Sequence, residues 1–171
     1  TTRVCHSKSI VETGERKEVP IREYVKDAAN RVSVPANAKV WRRNVEKRLR
    51  ELAGYSENSR FNTAEYTEES KVGVISSGIC YHYAKEVWGE SVNYLKLGFT
   101  NPLPERMITE FCSRMDTIYV LEENDPYIED AVRRLGFSCK GNDFFPPYGE
   151  MVPDVIREAL DGTPGEEKGT V

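Results

Sequence analysis

Short apolar runs alternate with amphipathic stretches in the second half of the sequence. The runs at residues 72–75, 92–97 and 117–121 predict three strands, because uninterrupted apolar stretches of this length are typical of strands covered on both faces. Apolar residues that recur every three to four positions predict helices over 78–88, 104–115, 125–135 and 153–160. This alternation predicts an α/β fold with a mainly parallel sheet covered by helices on both faces.

Residues typical of helix ends support these elements. Ser76, Ser77 and Gly78 precede the first helix, and Gly89 follows it. Before the third helix, Asp125 is predicted to be the N-cap and Pro126 to lie in the first turn.

The first 70 residues follow a different pattern. Residues 1–35 are polar and without period, which predicts an extended connecting arm. Residues 36–54 predict an amphipathic, strongly basic helix that ends at Gly54, and residues 55–70 predict a polar loop. We therefore expect a core over residues 71–161 and a flexible tail over residues 162–171.

Charge is divided unevenly along the 171 residues. The net charge is -4, but residues 1–50 carry +7 and the remainder carries -11. A basic arm can bind nucleic acid, but this one lacks interleaved aromatic residues and adjoins an acidic segment that would repel phosphates. Docking against another part of the same protein, acidic or carrying a phosphorylated cofactor, is the favoured interpretation. The longest apolar run is too short to cross a membrane.

The cysteines give no metal motif. Cys5, Cys80, Cys112 and Cys139 are widely spaced, no CxxC pair is present, and the chain has two histidines. Cys80 and Cys112 fall on apolar faces of predicted helices, which favours buried thiols and a reducing cytoplasm. The opening residues lack a starting methionine and an apolar signal, so we expect a fragment of a longer protein.

Two segments are candidates for binding. Gly73 and Gly78 have the spacing of a phosphate loop, but no Lys-Ser/Thr pair follows them, so this interpretation fails. Ser76, Ser77 and Gly78 still form a possible anion-binding turn before a helix, with an ordinary helix cap as the alternative. Glu122 and Glu123 follow a strand, where ligands and partners of parallel sheets bind.

Two interpretations of Glu122 and Glu123 remain open. The carboxylates can anchor a partner or act as a base, or they can simply be solvated. We expect both to have little to pack against within this chain, and we take them as interface candidates. In the arm, Arg3 and His6 form a second pair of candidates, although one Arg and one His make no catalytic set.

Several segments together resemble the alpha subunit of indolepyruvate ferredoxin oxidoreductase, a member of the 2-oxoacid:ferredoxin oxidoreductase family. The resemblance lies in residues 1–6 (TTRVCH), 74–81 (VISSGICY), 95–105 (LKLGFTNPLPE), 122–129 (EENDPYIE) and 149–151 (GEM). It implies a thiamine-diphosphate-dependent enzyme that oxidatively decarboxylates aryl pyruvates to aryl-acetyl-CoA and passes electrons to ferredoxin.

The resemblance also implies an organisation. Residues 1–35 would end a pyrimidine-binding domain and form a linker, and residues 36–161 would be similar to the transketolase C-terminal domain, a three-layer α/β/α sandwich with one antiparallel strand. Arg3 and His6 would lie near the active site. The full-length enzyme would use thiamine diphosphate, magnesium and 4Fe-4S clusters, and its partners would be a beta subunit, ferredoxin and CoA.

Two functions of different class follow. The motifs of such subunits for the diphosphate and the clusters are absent from these residues, so the first function is a non-catalytic middle domain without a metal or cofactor of its own. The second is an independent nucleotide- or CoA-binding module, for which only the turn at Ser76, Ser77 and Gly78 offers a phosphate site.

Overall fold

The computed structural model describes residue 8 and residues 10–162. Arg3, Cys5, His6 and the predicted tail from residue 163 onward lie outside the described residues. The chain divides into two units, residues 1–39 and residues 40–171. Within the described residues, no helix is long and apolar enough to cross a membrane.

The first unit has little regular structure in its described part. Residues 10–26 are exposed and form neither helix nor strand. A four-residue helix follows, α1 (Ala28–Arg31), and then α2 (Pro35–Glu57) begins. The Asn37 Nδ2 atom donates hydrogen bonds to the Val32 carbonyl at 2.9 Å and to the Ala28 carbonyl at 3.2 Å, which links the two helices.

A four-stranded sheet forms the centre of the second unit. Its strands are β1 (Asn62–Glu65), β2 (Val72–Ser77), β3 (Asn93–Leu97) and β4 (Thr117–Leu121), in the order β1-β3-β2-β4. β2 is parallel to both β3 and β4, and β1 is antiparallel to β3. The predicted mainly parallel sheet with one antiparallel strand is confirmed.

Helices cover both faces of this sheet. They are α3 (Ile79–Trp88), α4 (Glu105–Cys112), α5 (Tyr127–Arg134) and α6 (Pro153–Leu160). One core cluster contains residues of α3 and α6 together with Val74, and the other contains residues of α4 and α5 together with Ile75. Adjacent strand residues therefore point into opposite cores, as the pleat of a strand requires. The α/β/α layers expected from the sequence are confirmed.

The predicted buried thiols occupy both cores. Cys80 is 3% exposed in the α3 side of the sandwich, and Cys112 is 1% exposed in the α4 side. Burial raises the pKa of Cys112 to about 12, so this thiol stays protonated at neutral pH. The prediction that both cysteines are buried is confirmed.

The prediction of a loop over residues 55–70 is wrong. α2 continues through Gly54 to Glu57, and residues 62–65 form β1. Asn62 explains why a polar segment enters the sheet: its Nδ2 atom donates to the Ser56 carbonyl at 2.9 Å, and its Oδ1 atom accepts from the Phe99 amide at 2.8 Å. These bonds satisfy a buried amide and join the start of β1 to the last turn of α2 and to the loop after β3.

A polar cluster fastens β1 to α3. The Lys85 Nζ atom lies 2.6 Å from Glu65 Oε2 and 3.0 Å from Glu90 Oε1, and the Tyr81 hydroxyl donates to Glu65. Burial raises the pKa of Glu65, but the hydrogen bonds from Lys85 and Tyr81 outweigh it, so the net shift is downward. The edge strand is thus held by charge-assisted hydrogen bonds as well as by its ladder with β3.

Glycine positions provide a test of this packing. A Cβ atom on Gly98 would lie 2.5 Å from the Phe61 carbonyl oxygen, a backbone atom that cannot move independently of β1. We expect Gly98→Ala to lower the free energy of unfolding by about 2 kcal/mol or more. Gly54→Ala, in open space on α2, should leave it unchanged or raise it by up to about 1 kcal/mol. Urea denaturation of both variants measures the difference, and equal stabilities would contradict the close approach.

Candidate functional site

A cleft of about 340 Å³ opens at the carboxyl end of the sheet, between β2 and β4. The loop after β2 leads to α3 on one face, whereas the loop after β4 leads to α5 on the other. Divergent loops of this kind create the crevice in which open parallel sheets bind ligands. The cleft is lined by Ser77, Gly78, Ile79, Cys80, Thr100, Glu122, Glu123, Asn124, Asp125, Tyr127 and Ile128. The structure therefore brings together the two segments that the sequence singled out.

Only two of the three residues predicted to form an anion-binding turn line the β2 side of the cleft. Gly78 has φ +58°, a conformation that favours glycine, and α3 begins directly after it without a side-chain cap. Ser77 and Gly78 line the cleft, but Ser76 is fully buried and is not among the lining residues. Among the described residues, the Ser76 Oγ atom has no hydrogen-bond partner. Anion binding by this turn stays a prediction. Of its three residues, Ser77 and Gly78 could contact an anion in the cleft.

Glu122 has a structural role that the sequence analysis missed. Its side chain is 8% exposed, its Oε2 atom accepts from the Ile128 amide at 2.8 Å, and its Oε1 atom accepts from the Glu129 amide at 2.9 Å. The carboxylate therefore caps α5, and the helix dipole favours its negative charge. The expectation that Glu122 has little to pack against is wrong.

The predicted cap at Asp125 is also wrong. Pro126 occupies the N-cap position of α5 and Asp125 is exposed, because the chain reverses at Asn124, which has φ +69°. This reversal carries Glu122 beneath the helix start. Glu122 lies six residues before the Ile128 amide, whereas a usual N-cap residue lies two or three residues before the amide that it accepts from. No sequence signal therefore identified this cap.

Glu129 is a second buried carboxylate beside the cleft. It is 1% exposed, with its Oε1 atom 2.6 Å from Arg133 Nη2 and its Oε2 atom accepting from the Asn142 amide at 2.9 Å. Asn142 in turn donates from Nδ2 to the Asn124 carbonyl at 2.8 Å. Glu129 therefore supports the cleft wall indirectly. The i, i+4 spacing of Glu129 and Arg133 was the available sequence signal.

The cleft wall is acidic. Glu122, Glu123 and Asp125 line it, and the described lining contains no Lys, Arg or His. The Tyr127 hydroxyl closes one end by donating to the Thr100 carbonyl at 3.0 Å. Such a surface disfavours phosphorylated ligands and suits a cationic or hydrogen-bond-donating partner.

The described residues do not fit the metal centres implied for the full-length enzyme. Among the described residues, no group of three His, Cys, Asp or Glu side chains could hold a metal ion. A 4Fe-4S cluster needs four cysteine ligands, whereas Cys80 and Cys112 lie on opposite faces of the sheet. Since Arg3 and His6 lie outside the described residues, their proximity to an active site stays a prediction.

The capping geometry predicts unequal effects of two neighbouring carboxylates. Glu122→Ala leaves two buried amides without an acceptor, so we expect it to lower the free energy of unfolding by about 3 kcal/mol. Asp125→Ala is the control, since this exposed residue caps nothing, and its effect should stay within about 0.5 kcal/mol. Chemical denaturation compares the two, and a larger loss for Asp125→Ala would restore the cap predicted from sequence.

The pH dependence of stability tests the burial of Glu122. Burial raises the pKa of this carboxyl above its ordinary 4.5, and the nearby Glu129 charge raises it further, against the opposing amide hydrogen bonds. At pH values between this ordinary pKa of 4.5 and the higher pKa of the folded state, Glu122 is protonated more often in the folded chain than in the unfolded chain. The contribution of Glu122 to stability is therefore present at low pH and is lost as pH rises through the folded-state pKa.

Glu122→Gln removes this titration. We expect the free energy of unfolding of the unmodified chain, minus that of Glu122→Gln, to fall as pH rises from about 4.5 to 7. Urea denaturation at several pH values in this range measures the difference. A difference that increases with pH would show that the carboxylate is favoured in the folded state.

The sequence is similar to those of curated indolepyruvate oxidoreductase IorA subunits. The protein from Methanothermobacter marburgensis is 34% identical over 99% of this chain and 30% of its own length. Those from Methanothermobacter thermautotrophicus and Archaeoglobus fulgidus are also 34% identical, over 96% and 80% of this chain. The chain spans about 30% of the length of the first relatives. No protein-family model matches it.

A solved structure shares the fold. It is a 2-oxoglutarate:ferredoxin oxidoreductase from Magnetococcus marinus with 2-oxoglutarate, coenzyme A and succinyl-CoA bound, and it matches 75% of this chain and 23% of its own with a TM-score of 0.53 and 18% identity. This likeness concerns the α/β/α architecture described above. The 34% identity to IorA subunits along nearly the whole chain shows that these 171 residues belong to the indolepyruvate oxidoreductase IorA family.

Proposed function

We propose that the chain is a non-catalytic middle domain of a thiamine-diphosphate-dependent indolepyruvate:ferredoxin oxidoreductase. The similarity to IorA subunits over 99% of the chain carries this proposal. The full-length enzyme would oxidatively decarboxylate aryl pyruvates to aryl-acetyl-CoA and transfer the electrons to ferredoxin. This domain would organise subunit contacts and help to form the cofactor cleft.

The acidic cleft supports a role in contacts. Glu122 and Glu129 are engaged in hydrogen bonds within the chain, whereas Asp125 is exposed and caps no helix, so its carboxylate is able to face a partner. Asp125 lies on a turn fixed from below by these two buried groups. A rigid, charged turn at a sheet edge is suited to specific recognition of a neighbouring domain or subunit.

An independent nucleotide- or CoA-binding module is not favoured. Such a module needs a phosphate site, and the turn at Ser77 and Gly78 faces an acidic wall. Carboxylates at this position would repel the phosphates of a nucleotide. CoA, ferredoxin and a beta subunit are proposed as partners of the full-length enzyme, whose thiamine diphosphate, magnesium and 4Fe-4S clusters would be bound outside these residues. We also propose that the enzyme is cytoplasmic.

Activity measurements separate the fragment from the enzyme. The purified 171-residue chain, supplied with indolepyruvate, CoA, thiamine diphosphate and magnesium, should not reduce viologen. Its sequence lacks the motifs of such subunits for the diphosphate and the clusters, and no group of three His, Cys, Asp or Glu among its described residues could hold a metal ion. The full-length subunit with its partner should reduce viologen under the same conditions. Viologen reduction by the isolated chain would overturn the non-catalytic assignment, and an inactive full-length complex would overturn the proposed enzyme.

A further inference from the structure

A second cavity adjoins the cleft and is named here the α5 groove. It has a volume of about 680 Å³ and lies between the last turn of α2, the loop after β3 and one side of α5. Tyr127 lines both the cleft and the groove, so the two cavities meet at this side chain. Leu103 and Ala131, which are 8% and 2% exposed, give the groove an apolar floor. Such a floor can accommodate the methylene stem of a long side chain.

The α5 groove is acidic. The charged residues that line it are Glu57, Glu105, Asp130 and Arg134. The Arg134 Nη2 atom lies 2.7 Å from Glu105 Oε1, so these two charges neutralise each other. Asp130 is exposed, and among the described residues its carboxylate forms no hydrogen bond or ion pair. The groove therefore holds a negative charge that the described chain does not neutralise.

The end of α2 adds to this negative potential. Ala53, Gly54 and Glu57 bring the last turn of α2 to the groove, and the carboxyl end of a helix carries a partial negative charge. Although α2 is rich in Lys and Arg, it has no basic residue in its last turn. The Glu57 carboxylate accepts from the Arg106 amide at 2.8 Å and from the Met107 amide at 3.1 Å, which holds this end of α2 against α4.

The Tyr127 ring is both oriented and exposed. Its hydroxyl donates to the Thr100 carbonyl at 3.0 Å, and the residue is 50% exposed. Among the described residues, no aromatic ring and no cation stacks on it. Tyr127 and Asp130 are three positions apart in α5, so they lie on the same side of the helix, and both line the groove. An exposed tyrosine held in one orientation is typical of the residues that contribute most to a binding surface.

These features together select a guanidinium group. The face of an aromatic ring attracts a cation. A planar guanidinium can stack on Tyr127 while its N–H groups donate to the Asp130 carboxylate, whereas an ammonium is a compact charge without a flat face. The negative potential disfavours phosphates. An arginine side chain therefore matches the ring, the carboxylate and the apolar floor of one groove.

We infer that the α5 groove binds an arginine side chain from a segment of the same full-length subunit outside these 171 residues. The inference rests on the proposed function, because the chain spans about 30% of the length of its first IorA relatives. A contact made by one ring and one exposed carboxylate is weak between separate proteins. Within one polypeptide, the covalent connection raises the effective concentration, so a weak contact is formed. This favours an arginine of the same subunit.

Modification with phenylglyoxal tests the contact in the full-length subunit, since this reagent reacts with accessible guanidinium groups and mass spectrometry identifies the modified arginines. We expect one arginine outside the 171 residues to react at least about fivefold faster after Tyr127→Ala with Asp130→Lys, because the ring is removed and the charge is reversed. Tyr127→Phe with Asp130→Glu keeps a ring and a carboxylate, so it should retain most of the protection.

A matched control separates docking from misfolding. Tyr148→Ala with Asp116→Lys makes the same changes at exposed positions outside the groove, and it should leave the reactivity of that arginine unchanged. Hydrogen exchange at β2 should be the same in all variants. An equal gain of reactivity in the control would overturn the assignment to the α5 groove.

The 171-residue chain provides a second measurement. Since the inferred occupant lies outside this chain, N-acetyl-arginine amide should enter the groove and shift the NMR signals of the Tyr127 ring. Asp130→Asn should weaken this binding about threefold or more. N-acetyl-lysine amide should bind more weakly than the arginine compound. Equal binding of the two compounds, or unchanged binding after Asp130→Asn, would overturn the assignment to a guanidinium group.

The position of the protected arginine decides the remaining alternatives. Protection of an arginine within residues 1–171 or in another subunit would overturn the inferred placement, and no arginine sensitive to Tyr127 and Asp130 would overturn the inference. Viologen reduction by a complex without a protected arginine refutes the docking alone. A protected arginine in a complex that does not oxidise indolepyruvate refutes the proposed function and leaves the docking in place.

Discussion

Two carboxylates that accept backbone amides set the arrangement of helices on one face of the sheet. Glu122 caps α5 and Glu57 caps α4, and neither helix has a side-chain cap of its own. The Glu57 bonds connect residues 49 and 50 positions apart, whereas the Glu122 bonds connect residues 6 and 7 positions apart. The first amides of a helix have no partner within it, so these two side chains help to hold α4 and α5 in place relative to α2 and β4.

The cleft depends on this arrangement. Its acidic turn is fixed from below by Glu122 and, through Asn142, by Glu129. Gly141 lies against the Glu129 carboxylate with no space for a Cβ atom, so the loop that contains Gly141 packs directly on this carboxylate. The half-buried Glu123 and the exposed Asp125 both lie on this supported turn.

The two charged surfaces suggest how such a domain fits into a longer subunit. The carboxyl end of the sheet is acidic, whereas α2 is basic and extends from an anchored last turn. A domain with surfaces of opposite sign can contact different neighbours without competition between them. This agrees with a member of the IorA family whose matched relatives are much longer than the chain.

The sequence by itself determined the α/β class, the strands predicted at 72–75, 92–97 and 117–121, and the buried positions of Cys80 and Cys112. Apolar runs and helical periods are local signals, so they could be read directly. It also identified both walls of the cleft, since each follows a parallel strand. The tertiary structure alone decided β1, the continuation of α2 past Gly54, and the roles of Glu122, Glu129 and Asn62. The roles of Glu122, Glu129 and Asn62 depend on hydrogen bonds between residues 6 to 37 positions apart in the chain. A polar residue looks the same in sequence whether it is solvated or satisfied inside the protein.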